Sequence, residues 1–508
     1  MQGLQLFAEA LWALLSVQSL ITASWSVLLG IIIGSLPGLT ATMGVALLTT
    51  LTYRMGAEQA ILALICMYVG SIYGGSRSAI LLNIPGTPAS AATTLDGYPL
   101  ARAGKAGYAM GIATTSSAIG TLVGILFLAA TAPLLADVAL DFHSFEFFWL
   151  ALFGVIISGQ LTTTGSALKG YIAGILGLMV AMVGMEGIHA HLRFTFGFSE
   201  LASGIGLIPA MVGAFGFAEV LNVMYERRAQ LVANTVDRVV PRFADIWAHK
   251  VTALRSGVIG TFVGVLPGVG EDIGAWASYA AARRFSKTPE AYGKGSIEGL
   301  TAAETGNSAV VPGALIPALT LAVPGSAPAA VLIAALFIHG VRPGPMIMIE
   351  QPMFVYSIVG MMLFATVGIT VFGLLLTRPL LTVLAIPRER LMPVVFVLCV
   401  IGPFAISQRL FDVWVMLFFG VAGFLLRRMN YPMAPLVLGI ILGDLMDKNL
   451  RRGLSVSDGD LTPFFTRPIS LVFVLVIALT VLIGIKGVRT RLAALGRRLW
   501  PMAHSQTR

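Results

Sequence analysis

Charge is what this sequence has least of. Asp, Glu, Lys and Arg together make up 11% of its 508 residues, against roughly 25% in soluble domains. So few charges cannot cover the surface of a soluble protein of this size, and that class is excluded. Cysteine is almost missing too. Cys66 and Cys399 both lie in apolar stretches, which excludes a disulfide framework and a thiolate metal site and makes them packing residues. The N-terminus lacks the basic segment and small-residue cleavage site of a secretory leader, so it is expected to stay in the mature chain. Enzyme signatures are absent as well. There is no HExxH and no GxSxG, and the GVGEDIG stretch at 268–274 misses dinucleotide-loop spacing by one residue and lacks a βαβ setting. No catalytic residue and no cofactor is therefore expected.

What the chain has is apolar length. Hydrophobic residues make up 57% of it and its mean hydropathy is +0.87. Apolar runs long enough to span a bilayer core recur at 107–132, 148–168, 205–223, 354–376, 413–426 and 469–485. With their less clear neighbours they predict about 10–12 helical passes. The expected fold is an all-α polytopic membrane protein, one integral membrane domain over 1–508. The net charge of +9 collects between the apolar runs, at Arg227, Arg228, Arg238, Arg242, Lys250 and Arg255, and again at Lys486, Arg489, Arg491, Arg497 and Arg498. This is the positive-inside pattern, and it predicts both segments, including the C-terminal tail, in the cytoplasm. No soluble domain is left to carry a nucleic-acid patch, so the expected surroundings are a lipid bilayer and not nucleic acid.

The chain also repeats itself. GIIIGSLPGLTATMG at 30–44 and GTFVGVLPGVGEDIG at 260–274 align at an offset of 230. They share Gly30/Gly260, Gly34/Gly264, Leu36/Leu266, Pro37/Pro267, Gly38/Gly268 and Gly44/Gly274. A second Pro-Gly pair follows in each copy, in NIPGTPAS at 83–90 and VPGSAPAA at 323–330, at an offset of 239. Two breaks in the same order predict a first repeat over 6–190, a second over 236–430, and C-terminal helices with a basic tail over 431–508. Basic flanks on both sides of 256–282 predict a re-entrant hairpin broken at Pro267-Gly268. The first copy is preceded by a segment without Lys or Arg, so the two repeats are expected to be inverted.

A Pro-Gly break in lipid frees backbone N–H and C=O groups that water cannot satisfy, so paired breaks mark a site rather than a packing kink. Thr87 before Pro88, and Ser326 before Ala327-Pro328, read as N-caps of half-helices. Their N–H groups and dipoles suit a carboxylate, and the carbonyls before each break suit a cation. The substrate-binding residues are expected to be Thr40, Ser76, Arg77, Asn83, Pro85, Gly86, Thr87, Ser90, Pro324, Gly325 and Ser326. The coupling-ion residues are expected to be Gly38, Thr42, Gly268, Gly270, Asp272, Glu304 and Asn307, holding Na+ or H+ and no other metal. Arg77 reads either as a bidentate carboxylate ligand or as the ion-pair partner of an acid such as Glu304. Glu271 and Asp272 open a helix and complement its dipole; they would repel an anion, which suits them to a cation or to a cytoplasmic rim. Asp96 reads as a loop residue, and His189 and His191 sit on different faces, against a metal pair.

Four stretches carry a resemblance to a known family: GSLPGLTATMGVALL at 34–48, YGGSRSAILLNIPGTPASAATTLDGYPLARAGKAG at 73–107, FSKTPEAYGKGSIEGLTAAETGNSA at 285–309, and GALIPALTLAVPGSAPAAVLIAALFIHGVRPGP at 313–345. With the length and span number, the chain resembles the large membrane subunit of the tripartite tricarboxylate transporters, the TctA-type permeases. The family's motif positions fall at Gly34, Pro37, Gly38, Gly74, Gly75, Ser76, Asn83, Pro85, Gly86, Thr87, Glu304, Asn307, Pro324, Gly325 and Ser326. The sequence departs from the family pattern at Arg77 and at Gly270-Glu271-Asp272. The resemblance implies a secondary carrier in the bacterial inner membrane, importing small di- or tricarboxylates such as citrate by symport along an ion gradient. It also implies two partners, a periplasmic solute-binding protein and a small four-helix membrane subunit. The competing readings are a membrane channel and a membrane-embedded enzyme acting on a small anionic substrate.

Overall fold

Helix follows from the sequence wherever apolar residues must cross lipid, because only a helix satisfies its own backbone there. The structure, a computed structural model, describes residues 2–36, 38–161, 167–188, 190–225, 239–377, 379 and 388–484. Pro37, His189, Arg227, Arg228, Arg238, Lys486, Arg489, Arg491, Arg497 and Arg498 lie outside the described residues. Leaving short helical turns aside, the first helices are α1 (Gln2–Leu14), α2 (Val17–Ser35), α3 (Ala41–Thr52), α4 (Ala57–Leu82), α5 (Ala91–Arg102), α6 (Ala106–Leu140), α7 (Ser144–Leu161) and α8 (Ala167–Ala181). After a two-stranded ladder pairing Gly184–Met185 with Leu192–Arg193 comes α9 (Leu207–Tyr225). The rest are α10 (Lys250–Val265), α11 (Gly270–Phe285), α12 (Ile297–Leu321), α13 (Ala327–Ile338), α14 (Pro352–Leu375), α15 (Met392–Ser407), α16 (Leu410–Arg428), α17 (Met433–Val456) and α18 (Pro468–Gly484). Among the described residues seven helices are long and apolar enough to cross a membrane, and five shorter apolar helices accompany them. The chain is an all-α multi-pass membrane protein.

The breaks fall where the Pro-Gly pairs stand. α10 and α11 fold back on one another around Pro267-Gly268: Gly274 faces Gly260, and Ser278 Oγ donates to the Ser256 carbonyl at 3.3 Å. α2 and α3 form the corresponding pair around Gly38. Each hairpin leans on a long buried helix running parallel to its first arm. α2 lies along α4, with Gly30 against Met67 and Gly34 against the Ser71 backbone; α10 lies along α12, with Gly260 against Gly306. Side chains are excluded at these crossings. A Cβ on Gly264 would stand 2.5 Å from the Val310 carbonyl oxygen. Both long helices end in a left-handed residue, Asn83 (φ 56°, ψ 26°) and Ala322 (φ 56°, ψ 27°). The chain then turns back into the protein before α5 and α13 begin.

α4 and α12 run in opposite directions through the core. Ser76 of α4 bonds to Glu304 near the start of α12, whereas Tyr68, two turns earlier on α4, reaches Ser326 beyond the end of α12. α4 and α12 are almost entirely buried, including their polar residues. α6 and α14 wrap this centre, and α7, α8 and α17 form a flanking bundle.

Asp96 corrects one expectation: it lies in helix α5, not in a loop, and is fully buried. Its Oδ1 accepts the N–H groups of Gly293 (2.8 Å), Gly295 (2.9 Å) and Ser296 (2.8 Å). Its Oδ2 accepts the Tyr279 hydroxyl at 2.9 Å. One carboxylate thus fastens α5 to the turn that starts α12 and to α11. Asp96→Ala would leave three N–H groups and a phenol without an acceptor, a loss of roughly 3 kcal/mol or more. Asp96→Asn keeps a carbonyl acceptor and should lose less. Thermal unfolding of the purified protein in detergent should rank the two variants in that order; equal melting temperatures would refute the fastening role.

Candidate functional site

The polar residues of the two long helices converge on the breaks. On α12, Glu304 is fully buried and accepts hydroxyls from three other helices: Ser76 Oγ of α4 at 2.6 Å, Ser117 Oγ of α6 at 2.9 Å, and Thr93 Oγ1 of α5. One turn further on α12, Asn307 is also fully buried, and neither its Oδ1 nor its Nδ2 has a hydrogen-bond partner. The Ser308 hydroxyl beside it has none either. α12 packs against the turn Pro88–Ser90 that precedes α5. Because Thr93 lies opposite Glu304 and the two segments run antiparallel, Pro88–Ser90 lies opposite Asn307. A buried amide with both atoms unpaired costs several kcal/mol in an apolar setting. It marks the place where a polar ligand would offset that cost.

The start of α5 is built as the sequence predicts in outline and differently in detail. Pro88 opens a single 3-10 turn after Thr87, and α5 proper begins at Ala91. Thr87 is the N-cap of that turn and shares a capping box with Ser90, whose hydroxyl accepts the Thr87 N–H at 3.3 Å and donates to the Thr87 carbonyl at 2.8 Å. Thr40 caps α3 by accepting the Met43 N–H at 3.2 Å. Ser326 caps α13 by accepting the Ala329 N–H at 3.4 Å.

On the other side of the centre, the Tyr68 hydroxyl donates to Glu271 Oε1 and lies 2.6 Å from Ser326 Oγ. The Tyr68 phenol thus links Glu271, in the first turn of α11, to Ser326 at the start of α13. Here the breaks satisfy each other: the Gly268 N–H donates to the Pro324 carbonyl and the Gly270 N–H to the Gly325 carbonyl, both at 3.2 Å. Gly268 and Gly270 have φ of 70° and 79°, a conformation that favours glycine. Gly86 N–H similarly donates to the Gly75 carbonyl at 3.3 Å.

The expected residues are thereby regrouped. Ser76, expected on the substrate, bonds Glu304, expected on the ion. Pro324 and Gly325, expected on the substrate, bond Gly268 and Gly270, expected on the ion. Pro85 and Gly86 form the return of the chain beneath α2, with Gly86 against the Gly34 carbonyl. Gly38 (φ 96°) turns the first hairpin, and Thr42 is buried in the first turn of α3. Asp272 is half-buried in the first turn of α11. Asn83 is exposed at the end of α4, away from the Glu304 cluster. Tyr68, Thr93 and Ser117 are partners the sequence does not single out; Tyr68 stands in an apolar run, Thr93 and Ser117 stand among neighbouring hydroxyl residues, and nothing local signals which group each bonds.

Arg77 is not paired with Glu304, and among the described residues no carboxylate lies within ion-pair distance of it. Its guanidinium, 2% exposed, turns toward the C-terminal turn of α14. It donates to the Gly373 carbonyl at 2.6 Å, to Thr377 Oγ1 at 3.3 Å and to the Tyr73 hydroxyl, and stacks 5.1 Å from the Tyr73 ring centroid. The negative end of the helix dipole and the Gly373 carbonyl, which also accepts the Thr377 hydroxyl at 2.6 Å, hold the charge. Arg77→Met should therefore lower thermal stability by roughly 2–3 kcal/mol, with a smaller effect on ligand affinity in the protein that remains folded. A large affinity loss at unchanged stability would place Arg77 in the binding site instead.

The family model of the tripartite tricarboxylate transporter TctA family matches residues 20–438. The chain is similar to an uncharacterized 52.8 kDa protein in the TAR-I ttuC' 3'region of Agrobacterium vitis, 37% identical over 451 residues, which are 87% of this chain and 88% of that protein. It is also similar to an uncharacterized protein in the TAR-II ttuC' 3'region of the same organism, 35% identical over 211 residues, 42% of this chain and 87% of that protein. No solved structure matches. With the family match spanning most of its length and a multi-pass fold built around broken helices, this chain belongs to the tripartite tricarboxylate transporter TctA family and is a transporter subunit, not an enzyme.

Proposed function

We propose that the chain is the permease of a secondary tripartite system in the bacterial inner membrane, importing small di- or tricarboxylates with Na+ or H+ as coupling ion. In this reading a periplasmic solute-binding protein delivers the substrate, a small four-helix membrane subunit completes the complex, and the C-terminal tail is cytoplasmic. The observation that carries it is the unpaired, fully buried Asn307 amide one turn from Glu304 and opposite the start of α5. A substrate carboxylate there would accept from the amide and from the Thr87 hydroxyl, with the Ser90 turn and the positive end of α5 behind them.

Charge explains why transport would need a cation. A dicarboxylate would bring two negative charges to a centre that already holds the Glu304 carboxyl group, and a helix N-terminus supplies only about half a positive charge. A coupling ion at the oxygen cluster of Glu304, Ser76, Thr93 and Ser117 would neutralise the remainder and tie substrate entry to the gradient. The opposite directions of α4 and α12 support two inverted repeats, around which the site could open to either side in turn.

The test is uptake of labelled citrate and C4–C6 dicarboxylates into vesicles, for the chain alone and with both partners, with and without Na+ or pH gradients. Saturable uptake of unchanged substrate that needs partners and a gradient is expected. Linear uptake without partners would indicate a channel, and chemically altered substrate an enzyme; either outcome refutes the proposal. Asn307→Ala and Thr87→Val should each raise KM about tenfold or more, the cost of losing one hydrogen bond to a charged group, at unchanged membrane expression.

A further inference from the structure

The two junctions where half-helices begin are built from matching positions of the repeated sequence, yet they are filled differently. At the offsets of the two breaks, 230 and 239 residues, Glu271 matches Ala41, Ser326 matches Thr87, and Asn307 matches Tyr68. In the second-half junction everything is satisfied from within. The Glu271 carboxylate, 7% exposed, lies in the first turn of α11, and its phenol donor Tyr68 also lies 2.6 Å from the hydroxyl of Ser326, the cap of α13. The Tyr68 phenol donates to the carboxylate from α4. A carboxylate therefore sits where the starts of α11 and α13 meet, held by a phenol that touches both, and among the described residues no Lys or Arg forms an ion pair with it. In the first-half junction the acid is replaced by the methyl of Ala41, and the group in the phenol's place is Asn307, unpaired at both atoms.

We propose that Glu271 is a tethered stand-in for a ligand carboxylate. It occupies the anion subsite formed by the starts of α11 and α13, and the ligand's own carboxylate is left with the matching subsite at Thr87, Ser90 and Asn307. The proposal rests on the carboxylate reading above and sharpens it. The internal carboxylate shows which chemical group such a junction accepts, and it makes the two subsites inequivalent, with one left for a solute and one filled by the chain itself. The expectation that Glu271 serves a cation or a cytoplasmic rim is replaced by this role.

Formate is the probe. Glu271→Ala empties the second-half subsite, whereas Glu271→Gln keeps it filled by a side chain of the same shape. In purified protein, sodium formate compared with equal sodium chloride should raise the melting temperature of Glu271→Ala saturably, by about 2 °C or more beyond the wild-type response. Glu271→Gln should respond like wild type. Identical responses of Glu271→Ala and wild type, or equal responses of the Ala and Gln variants, would overturn the proposal. Should Glu271→Ala not be recovered, Glu271→Ser presents the same vacancy and is read in the same way. If both fold only when formate is present during purification, the proposal is supported; if neither folds in either condition, it is overturned. Because the readout involves no transport, formate rescue without any carboxylate uptake would defeat the transport reading alone, and uptake without rescue would defeat only the stand-in.

Discussion

Every backbone group released by a broken helix inside an apolar slab needs a partner from the protein, and the centre of this molecule is organised by that constraint. The second-half breaks meet it by pairing with each other: Gly268 and Gly270 donate to the carbonyls of Pro324 and Gly325. The first half meets it through Gly86 to Gly75, the cap at Thr40 and the Thr87–Ser90 capping box. These pairings require the breaks to lie within hydrogen-bond distance of helices from elsewhere in the chain. The glycines at Gly34 and Gly264, which admit no side chain at the crossings, follow from the same demand.

Buried charge is handled by the same means. Asp96 is held by three backbone N–H groups, Glu304 by three hydroxyls and Arg77 by the carbonyl end of α14. None of the three forms an ion pair among the described residues. Dipoles that stabilise a charge without cancelling it leave its field in place. A centre built this way keeps its buried charges compensated by dipoles alone, whereas a salt-bridged core would already be neutral.

The fold class, the sites of the breaks and the hairpin around Pro267-Gly268 were legible in the sequence because they depend on local properties: apolar length, Pro-Gly conformation and capping chemistry. Thr87 and Ser326 stand at the N-caps of their turns for reasons visible within four residues. The same local reading misplaced Asp96, because the Gly, Pro and Ala around it resemble a loop until the packing of α5 against α11 is known. It also divided the polar residues into a substrate set and an ion set that the structure interleaves.

By itself the sequence determined that this chain lives in a membrane, that its helices are broken in two places in each of two matching segments, and that those breaks are capped. Only the tertiary structure decided which polar groups satisfy one another: Tyr68 with Glu271, Ser76 with Glu304, and Arg77 with the end of α14. The partners in these pairs are separated by 203, 228 and 296 residues. A cap or a break is set by neighbours along the chain, whereas a buried hydroxyl or carboxylate takes its partner from whichever helix the packing places beside it.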